Sequence, residues 1–151
     1  MVYIGIDPGK SGAMALILDN GSVEAYSFGE GIYRDVLEHV SNSGGCSAVV
    51  ERVNAMPKQG VTSMFSFGVN FGYIQGVLAA FHVPFELVTP AKWKKEFGVT
   101  KDKNTSIAVA QRLFPQVSLL RTEKCRKPDD GIAEALLLAC YAQRHMGNAE
   151  K

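Results

Sequence analysis

The first 28 residues hold three strand-like runs separated by turns too short for any helix. Positions 2–6 form an apolar run stopped by Asp7-Pro8-Gly9, and 13–18 form a second ended by Asp19-Asn20-Gly21. Positions 23–28 alternate as a third strand. A parallel crossover needs a dozen or more residues, so strands this close in sequence must pair antiparallel. The chain therefore begins with a meander. The spacing then changes. A helix is predicted over 31–43, with Ile32, Val36, Leu37 and Val40 on one face and Gly44-Gly45 as its stop. A β-branched run at 48–53 carries Glu51 where a buried strand would hold an apolar residue. A loop at 54–63 leads into a long helix at 63–81, in which Gly68, Gly72 and Gly76 line one side and permit close approach. A fifth strand at 85–88, a Thr89-Pro90 helix start and helices at 91–97, 104–113 and 132–143 complete the pattern. The order β-β-β-α-β-α-β-α-α-α predicts an α/β fold, a mixed five-stranded sheet flanked by helices, with residues 1–151 as a single domain.

Composition agrees with one ordinary globular domain: 46% of the residues are hydrophobic and 21% charged. The three cysteines, Cys46, Cys125 and Cys140, are odd in number and lack C-x-x-C spacing, which argues against a disulfide framework or a zinc ribbon. The expected location is intracellular and reducing: a bacterial or phage-infected cytoplasm, or an organelle stroma. The start shows no secretory pattern, and no apolar run approaches the roughly 18 residues of a membrane span. Net formal charge is +1, but unevenly spread: residues 1–91 sum to −4, 92–127 to +7 and 128–151 to −2. An acidic part beside a basic segment suits a metal-dependent enzyme acting on a polyanion, although a solvated lysine-rich helix gives the same count.

Four carboxylates stand where burial would be expensive without a function. Asp7 closes the first strand, Glu51 lies within or at the end of the fourth, and Asp130 and Glu134 fall one helical turn apart at the start of the last helix. The i,i+4 pair repels by a few tenths of a kcal/mol in water and by more in a pocket, unless cations compensate it. Mg²⁺ or Mn²⁺, hard ions that take carboxylate oxygens and substrate phosphate, would do so. Taken singly, Asp7 could be a turn residue, Asp129-Asp130 a favourable helix start, and Glu51 a solvent-facing group on an edge strand. Gly9-Lys10-Ser11 does not complete a phosphate-binding loop, because the glycine that should precede it is one place off. No nucleotide cofactor is expected. His39, His82 and His145 lie far from the acidic motifs in sequence.

In that order and spacing, Ile4-Gly5-Ile6-Asp7-Pro8-Gly9, Val49-Val50-Glu51 and Asp129-Asp130-Gly131-Ile132-Ala133-Glu134-Ala135-Leu136 resemble the RuvC-type Holliday junction resolvases, in the manner of the phage-type and chloroplast members. The resemblance runs from residue 1 to about 145. It implies an RNase H-like fold, a homodimer, and paired nicking of four-way DNA junctions with two Mg²⁺ ions per active site, Mn²⁺ being able to substitute. Asp7 and Glu51 match the first two metal ligands. Many bacterial members space their last two ligands three apart, where this chain has Gly131; here Asp130 lies four before Glu134, with Asp129 as a rival.

For DNA binding the sequence offers Lys92, Lys94, Lys95, Lys101 and Lys103, a second group of Arg121, Lys124, Arg126 and Lys127, and Lys58 in the loop. Lys124 and Lys127, by their position before the acidic motif, are the best candidates for the scissile region. The loop after Glu51, with Asn54, Met56 and Gln59, and the following Phe65 are the candidates for reaching the junction centre; a core-facing helix is the alternative for Phe65 and Phe67. The leading reading is a structure-selective endonuclease. A junction-binding protein without catalysis and an RNase H-like nuclease processing structured RNA are the alternatives. Two nicks related by a two-fold axis call for a dimer. The 63–81 helix, with Met64, Phe65, Phe71, Ile74, Leu78 and Phe81, is the candidate interface, unless it is wholly buried on its own sheet.

Overall fold

The computed structural model describes residues 1–53 and 60–147. Its elements follow the predicted order: β1 (Val2–Asp7), β2 (Ala13–Ile17), β3 (Val23–Ser27), α1 (Glu30–Asn42), β4 (Cys46–Glu51), α2 (Val61–Ala80), β5 (Phe85–Val88), α3 (Pro90–Phe97), α4 (Lys103–Leu113) and α5 (Asp130–Met146). The sheet runs β3-β2-β1-β4-β5. The meander pairs antiparallel, whereas β4 lies parallel to both β1 and β5. Among the described residues no helix is long and apolar enough to cross a membrane.

Strand side chains alternate between faces, and that alternation divides the core in two. Ile4, Ile6, Met14, Leu16, Ala48 and Val50 point to the face covered by α1 and α2. Ala13, Ala15, Ile17 and Val49 point to the other, with α3, α4 and α5. By the same parity Asp7 and Glu51 fall on the α5 face. β1 and β4 are in register at Ile6 and Val50, so Asp7 and Glu51 stand next to one another one step further on. Two sequence-distant acids are thus neighbours because of strand pairing alone.

Helix α5 buries 12 of its 17 residues, mostly Ala and Leu, and lies directly on the sheet. Gly5 makes this possible: a Cβ there would stand 2.1 Å from the Ala139 nitrogen and 2.3 Å from the Ala135 oxygen. Its N-terminus is equally tight, since a Cβ at Gly131 would meet the Ser11 carbonyl at 2.4 Å. These two contacts set the height of α5 over the ends of β1 and β4.

Two expectations are corrected. In α1, Ile32 is 50% exposed and Tyr33 takes its place in the core with Leu37 and Val40; the Tyr33 ring packs edge-on against Phe28 with centroids 5.3 Å apart. In α2, Ile74 and Leu78 are core residues rather than interface candidates. The helix is not wholly buried, however. Val61, Phe65 and Val69 are 85%, 73% and 53% exposed, and a Cβ at Gly68, Gly72 or Gly76 would meet nothing within 4 Å. At 3.6 residues per turn these six positions share one face, and α2 carries no charged residue. Among the described residues, nothing uses the close approach that these glycines allow.

Candidate active site

The carboxyl ends of β1 and β4 and the first turns of α5 meet in a cleft of about 630 Å³. Asp7, Glu51 and Glu134 each contribute a carboxylate oxygen to a group whose atoms all lie within 4.8 Å of one another. Glu51 and Glu134 are buried, at 8% and 3% exposure. β4 is an interior strand, so the edge-strand alternative for Glu51 does not hold. Two charges at that separation repel by roughly 3 kcal/mol at an effective dielectric of about 20. Burial, then Glu134 and Glu51, push the Asp7 carboxyl well above the usual range. Burial also raises Glu51, against a lowering hydrogen bond from Trp93.

Asp130 and Asp129 separate cleanly. Asp129 is the N-cap of α5: its side chain accepts the Ile132 N–H at 3.1 Å and the Arg121 Nε–H at 2.7 Å. Arg121 also donates to the Ser11 carbonyl at 2.7 Å, which ties the β1–β2 turn to the start of α5. Arg121 and the cap together hold Asp129 below the ordinary carboxylate value despite the burial that opposes them. Asp130, the first helical residue, lines the cleft, with Lys103 Nζ 3.1 Å from its Oδ2 and 3.7 Å from Glu134 Oε1. Asp130 is outside the tight group of three.

The rest of the cleft comes from the β1–β2 turn (Pro8 to Gly12), Val53, Lys103 and the first half of α2, with Thr62, Ser63, Ser66, Phe67 and Asn70. No protein-family model matches this sequence, and no curated protein matches it. Solved structures do. RuvC of Thermus thermophilus in complex with a Holliday junction substrate superposes with a TM-score of 0.62 at 16% identity, over 97% of this chain and 96% of that one. The yeast mitochondrial Holliday junction resolvase Ydc2 gives 0.51 at 11% identity, over 97% and 82%. Fowlpox virus resolvase, solved with substrate Holliday junction DNA, gives 0.51 at 16%, over 93% and 97%. The chain has the fold of the RuvC-type resolvases. The RNase H-like α/β expectation from the sequence therefore stands.

On this RuvC-type fold the acidic group fits a divalent cation by its chemistry: three hard oxygen donors, close together, with too little nearby positive charge to balance them. Lys103 is that nearby charge. Burial alone would lower its ammonium, but Glu134, Asp130 and Asp7 outweigh burial and hold it above the ordinary lysine value. Of the described lysines and arginines offered for DNA binding, only Lys103 lines the cleft. Lys92, Lys95, Lys101, Lys124, Arg126 and Lys127 are exposed outside it. Lys94 is half-buried, its Nζ 5.6 Å from the centroid of the Trp93 ring. Arg121 is spent on Asp129 and Ser11. Asn54, Met56, Lys58 and Gln59 lie outside the described residues. Phe65 is on the surface of α2, while Phe67 faces the cleft and stacks on Phe71 at 6.0 Å.

Sequence reasoning passed over Trp93, Asn70 and Lys10. Trp93 donates its indole N–H to Glu51 Oε2 at 2.7 Å in a buried contact. Asn70 is buried in an uncharged helix and lines the cleft, and an amide flanked by Val69 and Phe71 was the available signal. Lys10 lines it as well, on the turn dismissed as a phosphate loop.

Proposed function

We propose that this protein is a divalent-metal-dependent endonuclease that resolves four-way and related branched DNA junctions by paired phosphodiester hydrolysis. The observation that carries the proposal is the convergence of Asp7, Glu51 and Glu134 within 4.8 Å in a RuvC-type fold, two solved examples of which hold junction DNA. Asp7, Glu51, Glu134 and Asp130 would hold the divalent ions, with Asp7 central among them. Bound there, Mg²⁺ or Mn²⁺ would supply activation of the attacking water and charge stabilisation at the leaving oxygen.

The chain's own groups do the remainder. Lys103, held by Asp130 and Glu134, is a mobile cation at the cleft edge that can turn to a substrate phosphate once those acids are otherwise engaged. The Arg121–Asp129 pair keeps the β1–β2 turn closed on α5, so that Asp7 and Glu134 stay at fixed separation. Exposed Lys92, Lys95, Lys101, Lys124, Arg126 and Lys127 supply contacts to flanking phosphates, a role open to Lys94 and to Lys58 in the loop as well. Asn54, Met56 and Gln59 would face the junction centre, while Phe65 stands on the α2 face assigned to the dimer. A second copy of the chain, docked through the uncharged face of α2, would supply the second nick.

The test is a cleavage panel of four-way junction, Y-fork, linear duplex and structured RNA, each with Mg²⁺ or EDTA. Junction nicking that needs Mg²⁺ and leaves linear duplex intact supports the proposal. Equal or better cutting of RNA overturns the DNA assignment, and junction binding without nicking overturns the catalytic one.

A further inference from the structure

Glu51 is held by something the acidic group does not itself contain. Its register partner across the sheet is Val88, and from Val88 the chain turns at once through Thr89 and Pro90 into α3. Five residues after Val88, the first turn of α3 brings Trp93 back over the end of β4. The ring is fully buried, and its N–H meets Glu51 Oε2 at 2.7 Å. Phe would fill a core position as well, but only an indole adds a donor, and a buried donor is unfavourable without an acceptor. Here the acceptor is a buried carboxylate whose neighbours are two more carboxylates. Hydrogen bonds to ionised groups are the strong ones, so this contact restrains the rotamer of Glu51 and engages Oε2, leaving Oε1 the less encumbered oxygen.

We propose that Trp93 is a positioning residue for Glu51: by occupying Oε2 it makes the carboxylate a one-oxygen ligand, which favours a small octahedral ion such as Mg²⁺ or Mn²⁺ over Ca²⁺. Ca²⁺ accepts six to eight oxygens and readily takes both from one carboxylate, whereas Mg²⁺ demands near-ideal octahedral geometry. Partners that orient a metal ligand typically account for 10–100-fold in metal affinity. The inference rests on the reading of Asp7, Glu51 and Glu134 as a metal site, and not on the nucleic-acid substrate.

The chain has one tryptophan, so its own emission reports on the contact. In the DNA-free protein, Mg²⁺ titration should change Trp93 emission with the midpoint found by calorimetry, and Glu51→Gln should abolish the response. Trp93→Phe should weaken Mn²⁺ binding by about 10–100-fold and Ca²⁺ binding by much less, narrowing the discrimination between them. A folded Trp93→Phe protein with both affinities within about twofold of wild type overturns the inference, and so does a wild-type emission unchanged through calorimetric saturation. Should Trp93→Phe not fold, the emission titration of the wild-type protein still decides. Wild-type protein that binds no divalent ion overturns this inference and the metal reading together. Protein that shows both effects but nicks no junction supports the role of Trp93 and overturns only the substrate.

Discussion

Replacing Asp7 by asparagine separates stability from function in a way the geometry makes quantitative. Asp7 belongs to a trio of carboxylates within 4.8 Å, each pair repelling by roughly 3 kcal/mol at an effective dielectric of about 20. The neutral amide removes two of the three repulsions and keeps the shape. Lys103 and partial protonation already offset part of that energy, so a net gain of about 1–3 kcal/mol is expected for the metal-free protein, or about 3–8 °C in Tm for a chain of this size. The pH dependence has a definite sign. The Asp7 carboxyl is raised by burial and by its acidic neighbours, so above its folded pKa the folded state carries a penalty absent from the unfolded chain. That penalty fades as pH falls through the raised value. In EDTA, wild type should therefore gain stability as pH falls through the raised value toward the ordinary carboxylate range, and Asp7→Asn should gain less. Metal reverses the ranking: at a thousand times Kd it adds about 4.1 kcal/mol to wild type, while the variant, lacking the central ligand, responds little. Scanning calorimetry with EDTA and with Mg²⁺, beside a nicking assay, measures all of this. An Asp7→Asn protein less stable than wild type in EDTA, or one that keeps the full Mg²⁺ shift, would refute the electrostatic reasoning. Nicking within about tenfold of wild type would refute the role of Asp7.

The two adjacent aspartates should behave oppositely. Asp130→Asn should depress nicking strongly with little change in Tm, whereas Asp129→Asn, which keeps a capping oxygen but removes the charge paired with Arg121, should cost about 0.5–1 kcal/mol of stability and less activity; thermal denaturation and initial rates of both variants decide it. Gly72→Leu meets open space in the isolated chain, so it should leave the monomer fold intact and dissociate the proposed dimer. Sedimentation that finds Gly72→Leu as dimeric as wild type would move the interface elsewhere.

The order of elements was legible because turn signals and periodicity are local. Asp-Pro-Gly and Asp-Asn-Gly mark the meander, and Thr89-Pro90 marks the start of α3. The convergence of Asp7 and Glu51 was legible only as a suspicion, since it depends on β1 and β4 pairing in parallel register across 44 residues. Asp129 and Asp130 could not be separated by spacing alone. What separates them is Arg121, eight residues upstream, which reaches Asp129 and Ser11 together. Trp93 was hidden for a related reason: its meaning lies in a hydrogen bond to a residue 42 positions away, and in sequence it reads as a core aromatic between lysines. Ile32 misled because apolar spacing allows two adjacent helix faces, and the ring of Tyr33 against Phe28 chose between them.

The proposed pair of metal-dependent nicks across a four-way junction is tested most directly on a supercoiled plasmid that extrudes a cruciform. Paired nicks within the lifetime of one complex convert the plasmid to linear DNA; uncoupled single nicks relax it to open circle, and relaxation removes the cruciform before a second cut. Linear product should be the main species with Mg²⁺ or Mn²⁺, with none in EDTA and none from a plasmid without the cruciform. Open circle alone, or linear product that persists in EDTA, would contradict the proposal.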